Sequence, residues 1–286
     1  MLSFEELTEI VRTAVSLGVS KVRLTGGEPL VRRGIVDLCR SLRAINGVRE
    51  LTMTTNGALL PQYAAELKQA GVDRLNISLD TLNEDKFASL TRGGSLADTL
   101  AGLDAARHAG FRGTKLNAVL LGGVNEDEIP ALAQLAQDRE FEVRFIELMP
   151  IGECADWLRE RFLSADAVLH ALPELQRLPN EGVAELYRMP GWKGKIGLIR
   201  PMSHRFCAKR LIWRCQLPAC ASPMMPWFSF TVIRSTGCFF VPLCSLIQTA
   251  VTFAIVPPIL NFPLFIPRFG SCLSGFHSAA RIAYGG

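Results

Sequence analysis

Five short apolar runs in this chain contain residues that such runs normally avoid. "KVRLTGGEPLVRR" places Arg23 among branched residues and follows it with Thr25, Gly26, Gly27, Glu28 and Pro29. "TMTTNG" carries Thr54 and Thr55 into an Asn56-Gly57 turn, and "LNISLD" ends Ser78-Leu79-Asp80. "KLNAVLL" holds Lys115 and Asn117, and "RFIELMP" holds Arg144, Glu147 and Met149. Polar and charged groups inside apolar strands are costly unless something pairs with them. Taken together they suit a polar, anionic ligand, with Arg23 and Lys115 matched to phosphate groups and paired glycines letting a ligand approach the backbone closely. Singly, each has an ordinary reading: Gly-Gly is a βα turn, Asn-Gly a strand-end turn, Lys115 a lysine that snorkels to the surface and Met149 a core residue. The functional reading depends on all five groups lying at the C-terminal ends of successive strands.

The intervening sequence is what such strands need. Ser3 and Glu6 form a capping box ahead of "FEELTEIVRTAVSLG", whose Leu7, Ile10, Val11, Ala14 and Val15 share one helix face and whose Gly18 ends it. Helices are expected over "IVDLCRSLRAI", "PQYAAELKQAG", "LADTLAGLDAARHAG" and "EDEIPALAQLAQD". Strands are expected to begin near residues 20, 50, 73, 114 and 142, a spacing that fits β/α units with crossover helices. Their nearly continuous apolar character suggests parallel strands covered on both faces. The pattern fits a doubly wound sheet or a (β/α) barrel, whose sites lie at the switch point or at the strand C-termini. Neither G-x-G-x-x-G nor G-x-x-x-x-G-K-[ST] occurs, which excludes the usual dinucleotide and P-loop devices.

Charge divides the chain. The first 200 residues hold 24 basic and 27 acidic residues, a net −3, and the last 86 hold seven basic and none acidic, a net +7. Soluble surfaces mix both signs, so residues 209–286 are expected to be a separate hydrophobic tail, poorly ordered. Within it, 235–267 lacks any charge and is long enough to span a bilayer, giving a tail-anchored membrane protein as one reading. Pro242, Pro257, Pro258, Pro263 and Pro267 would break that helix repeatedly. Cys39 and Cys154 lie before residue 200 and six cysteines after it. The opening "MLSFEE" is not a signal peptide, so a cytoplasmic protein with reduced thiols is expected.

The motifs "KVRLTGGEPLVRR", "TMTTNG", "LNISLD", "KLNAVLLGGVNEDEI", "RFIELMPIG" and "GKIGLIRPMSHRFCA" occur in that order. Over about residues 2 to 208 the chain resembles the GTP 3′,8-cyclase family of radical S-adenosylmethionine enzymes, lyases of molybdenum cofactor synthesis. The resemblance implies an α/β fold, a partial (β/α)6 TIM-like barrel, over residues 1–180, with the start of a C-terminal second-cluster region over 181–208. It implies two [4Fe-4S] clusters, S-adenosylmethionine and GTP, with a homodimer as a family possibility and no nucleic-acid partner. By position Gly27, Ser78 and Met149, with Gly26 and Glu28 of the same turn, resemble the S-adenosylmethionine contacts. Arg23, Thr54 and Lys115 resemble the GTP contacts.

Two departures bear on activity. The family's C-x-x-x-C-x-x-C loop is absent from this chain, and Met1 lies where that loop would already have passed, so the opening barrel strand is expected to be missing. Phe206-Cys207-Ala208 begins the family's second cluster motif, but Lys209-Arg210-Leu211 replaces the rest, as a shifted reading frame would. Cys207 is then the sole remnant of the cluster ligands. Iron–sulfur ligation needs several thiolates, so this chain is expected to be impaired or inactive as an enzyme, with a non-catalytic GTP- and S-adenosylmethionine-binding remnant as the alternative.

Overall fold

Ser3 starts the first helix as its sequence requires: its hydroxyl accepts from Glu6 N at 3.1 Å, and the Glu6 carboxylate accepts from Ser3 N at 2.7 Å. The helix, α1 (Phe4–Ser16), buries Leu7 and Val11. Then β1 (Val19–Gly26), α2 (Ile35–Arg43), β2 (Glu50–Thr55), α3 (Leu60–Gln69) and β3 (Arg74–Ser78) alternate. Two helices follow, α4 (Glu84–Thr91) and α5 (Leu96–His108), then β4 (Lys115–Leu120), α6 (Ile129–Gln134) and β5 (Glu142–Glu147). The short α7 (Leu158–Arg161) and α8 (Asp166–Ala171) precede a small meander, β6 (Gln176–Arg177), β7 (Glu185–Arg188) and β8 (Lys195–Ile199). The last described strands are β9 (Val232–Arg234) and β10 (Thr249–Ile255). The computed structural model describes residues 2–149, 158–180, 182–203, 232–234 and 249–255.

All ten strands among the described residues form one sheet in the order β6-β7-β8-β5-β4-β3-β2-β1-β10-β9. β1 to β5, β8 and β10 are parallel to their sheet neighbours in this run, and β6, β7 and β9 are antiparallel additions. The sheet is an α/β, mostly parallel, unclosed form of the expected partial barrel. Beside β1, where an opening strand was expected to be missing, β10 pairs in parallel from Val19↔Thr249 to Gly26↔Ile255. The tail expected over 209–286 otherwise lies outside the described residues, as does most of the candidate span 235–267. No helix among the described residues is long and apolar enough to cross a membrane.

The strands correct one expectation. They are not apolar on both faces but alternate, with a period of two residues. Leu24, Leu51, Met53, Leu75, Ile77, Leu116, Leu120, Val143 and Phe145 face the helices and are buried. Leu38, Leu42, Leu60, Leu67 and Leu103 meet them from α2, α3 and α5 in one continuous core. Full burial of each large side chain contributes about 1.5–3 kcal/mol. The residues between are polar, and that second face carries the candidate site. The helix α4 was not expected; Asn83 caps it by accepting from Lys86 N at 3.0 Å.

Candidate functional site

Parallel register places the polar residues in rows across the sheet. Arg23 lies beside Thr52, and Thr52 beside Arg74. The next row runs Thr54, Asn76, Lys115, Glu142 and Lys195. Ser78, Asn117, Arg144 and Gly197 form the row beyond. A cavity of about 760 Å³ opens over the N-terminal halves of these strands, within the size range of small-molecule sites. Its walls carry eight basic side chains and three acidic ones, so its field favours an anion.

Within the cavity the acids are already shared. Glu50 pairs with Arg74 at 2.8 Å and with Lys21 at 3.2 Å. Glu142 lies 3.0 Å from the Lys115 ammonium and 2.5 Å from Arg144 Nε. Burial works to raise the Glu142 pKa, but Arg144 and Lys115 outweigh it and hold the carboxyl below its ordinary value. Burial and the neighbouring Arg144 bring the Lys115 ammonium down to about 8, against the opposing pull of Glu142. Arg23 is more isolated. Burial, then Arg74 and Arg144, lower its pKa, and its Nε has no hydrogen-bond partner. Asn117 Oδ1 on the same face is also buried without a partner. A buried donor left open among cations is what a bound anion would satisfy.

The second group of expected residues lies elsewhere. Gly26, Gly27 and Glu28 follow the C-terminal end of β1, Ser78 ends β3, and Met149 comes two residues after β5. The single strand-end cluster expected from sequence is therefore two sets, one over the N-terminal halves of the strands and one past their C-terminal ends. Arg23 and Lys115 line the cavity; on β2 it is Thr52, not Thr54, that does so. Gly27 and Ser78 are exposed and Met149 is half-buried. The Glu28 carboxylate is already engaged: one oxygen accepts from Leu30 N (2.9 Å) and Thr55 Oγ1 (2.8 Å), the other from Asn56 N (2.7 Å). Its local effect is to tie the β1 turn to the end of β2.

Other polar links hold these strand ends. Asn125 donates to the carbonyls of Asp80 (2.7 Å) and Val119 (2.8 Å). Asp80 accepts from Val119 N at 2.7 Å, and burial raises its pKa against that bond. Glu147 accepts from Ala165 N, Met202 N, Ser203 N and the Ser203 hydroxyl. It thus fixes the turn leaving β8 against β5. Lys21, Glu50, Arg74 and Glu142 were not singled out from the sequence. Their signal was the two-residue period: Lys21-x-Arg23, Glu50-x-Thr52, Arg74-x-Asn76 and Glu142-x-Arg144.

Comparison with known proteins places this geometry. The Radical SAM superfamily model matches residues 1–136, and the Molybdenum Cofactor Synthesis C model matches residues 141–221, beyond Ala208 where the composition changes. Residues 1–136 thus match the radical S-adenosylmethionine superfamily, which is what the partial barrel resembles. Over most of its length the chain is similar to the GTP 3′,8-cyclases. That of Alkaliphilus oremlandii is 47% identical over 209 residues, 72% of this chain and 65% of that protein. That of Peptoclostridium acidaminophilum is 50% identical over 211 residues, again 72% and 65%. The chain spans about 65% of the length of these curated relatives. Among solved structures, TYW1 with a lysine-pyruvate adduct gives a TM-score of 0.47 at 16% identity, covering 62% of this chain and 64% of that one.

The match to the Radical SAM superfamily implies S-adenosylmethionine and [4Fe-4S] clusters, and the described residues do not fit the clusters. Cys39, on α2, is buried in the core, and burial pushes its thiol up to about 12. A protonated thiol is not an iron ligand. No group of three His, Cys, Asp or Glu among the described residues could hold a metal ion. Cys207 lies outside the described residues.

Proposed function

We propose that this chain is a GTP 3′,8-cyclase-type radical S-adenosylmethionine protein of molybdenum cofactor synthesis, a cytoplasmic lyase by descent, and that as this chain it binds its small molecules without turning them over. The observation that carries the reading is the cationic cavity, with the unpartnered Arg23 Nε beside Arg74, Arg144 and Lys115. GTP supplies the polyanion that this set suits, its triphosphate over Arg23 and Lys115 and its remainder towards Thr54. The exposed strand ends supply the second subsite. Backbone groups at Gly26 and Gly27, held in place by Glu28, with Ser78 and Met149, suit the amino-acid and ribose parts of S-adenosylmethionine.

No radical step follows from these residues, because a cluster that could reduce S-adenosylmethionine has no ligand set among them. Calorimetry with GTP, alongside anaerobic iron reconstitution and a 5′-deoxyadenosine assay, tests both halves. The expected outcome is GTP binding, reduced at least tenfold in Arg23→Met, with no 5′-deoxyadenosine. A four-iron spectrum with turnover would overturn the inactive reading, and an absence of GTP binding would overturn the cavity assignment.

A further inference from the structure

Glu142 is an acid at the centre of a cavity assigned above to a polyanion, and nothing so far accounts for its being there. Its side chain is 12% exposed, between Lys115 at 16% and Arg144 at 10%. One carboxylate oxygen accepts from Lys115 Nζ at 3.2 Å and from Arg144 Nε at 2.5 Å, and the other lies 3.0 Å from the same ammonium. The contact to Arg144 uses Nε and leaves the terminal nitrogens of the guanidinium, the edge that grips a phosphate in two bonds, free of this carboxylate. Lys115 and Glu142 are also register partners on β4 and β5, so the pair is set by the backbone and not only by rotamers.

Resting on the polyphosphate reading of the cavity, we propose that Glu142 is a positioning residue: it aligns the Arg144 guanidinium and holds the Lys115 ammonium as a preset pair for one phosphate group of the ligand. Burial and Arg144 both press Lys115 to give up its proton, and Glu142 opposes them. The other charged groups lining the cavity around the trio are Lys21, Arg23, Arg74, Arg188, Lys193 and Lys195, which add positive charge, and Glu50 and Glu140. Glu50 is already paired with Lys21 and Arg74. Glu142 is therefore the acid that keeps Lys115 cationic. Without it, Lys115 would lose its proton at lower pH and its contribution to anion binding with it.

The opposite role, a resident anion that a phosphate must displace, makes the opposite forecast. Calorimetric titration of the full chain with GTP from pH 7 to 9 separates the two. The ligand's own ionisation is common to every variant and cancels in the comparison. Wild-type affinity should fall as pH passes about 8, the Lys115 value. In Glu142→Gln, affinity at pH 7.5 should drop about tenfold, the loss of one charge-assisted contact, and the fall should move down by about one pH unit. Lys115→Arg keeps Glu142 and a permanent cation, so its affinity should stay within about twofold across the range, and it remains informative if Glu142→Gln does not fold. Tighter binding in Glu142→Gln, weaker binding with an unmoved midpoint, or an undiminished fall in Lys115→Arg would each overturn the proposal. No GTP binding by the wild type would instead overturn the reading of the cavity, and this inference with it.

Discussion

Gly102, in the middle of α5, offers a test in which two physical rules give opposite signs. Replacing a mid-helix glycine by alanine ordinarily stabilises a helix by about 1 kcal/mol. Here a Cβ at residue 102 would sit 2.0 Å from the Gly57 carbonyl oxygen and 2.9 Å from its carbon. Non-bonded heavy atoms settle near ~3.5 Å, so α5 and the β2 turn would have to part by more than about 1 Å. Both partners are backbone and cannot rotate away. Overpacking of this kind costs about 1–3 kcal/mol, at the upper end where no side chain can yield. Separation would also break the bond from Thr99 Oγ1 to the Asn56 carbonyl, 3.1 Å, for about 1 kcal/mol more. The net expectation for Gly102→Ala is a loss of about 2–3 kcal/mol, read as a lower urea midpoint with an unchanged slope. The effect should reach the site: Asn56 N is held by Glu28, whose other oxygen holds the Gly27 loop. A variant as stable as the parent, or more so, would refute the close packing of α5 on this turn.

Gly194→Ala should behave alike, since its Cβ would meet the carbonyls of Phe141 at 2.3 Å, Arg139 at 2.7 Å and Ala136 at 2.8 Å; urea unfolding should show a loss of about 2–3 kcal/mol. Glu28→Gln replaces an acceptor of three bonds with a group that is half donor, so the Thr55 hydroxyl or Asn56 N loses its partner; a loss of about 1–3 kcal/mol is expected, with faster amide exchange at Leu30 and Asn56. Folding stability should also depend on Lys115. An unfolded lysine keeps its proton up to about 10.4, whereas the folded one releases it near about 8. Between these values the unfolded chain binds more protons, so stability rises with pH. That rise, followed by urea midpoints from pH 7.5 to 10, should disappear in Lys115→Met.

Much of the framework was legible in the sequence. The five expected strand starts fall within one residue of those observed, because glycine and apolar runs bracket each strand. Arg23 and Lys115 were legible as cavity residues because a cation inside an apolar strand is conspicuous. The alternation was not, because the strands were read as nearly continuous apolar runs: Thr54 was grouped with a strand-end turn, and Thr52 and Asn76, on the same face of the period-two pattern, were passed over. Grouping every polar strand residue at the C-terminal ends followed from that oversight, and it merged two sets of residues lying at different heights along the strands. Glu142 was missed because an acid opening a strand resembles an ordinary solvent-facing residue until its neighbours on β4 and β8 are known. The Gly102–Gly57 contact could not be read from sequence at all, since it depends on how closely a helix lies on a turn some 45 residues away in sequence.

The two-faced sheet also bears on how the chain finds its fold. Shifting one parallel strand by a single residue exchanges its faces. For β2 such a slip would press Glu50, Thr52 and Thr54 against α2 and α3, and turn Leu51 and Met53 into the charged cavity. That slip would strip water from the Glu50 carboxylate and part it from Lys21 and Arg74, its partners on the polar face. The charges that suit this face to a ligand thus also penalise misaligned pairings and favour the observed register.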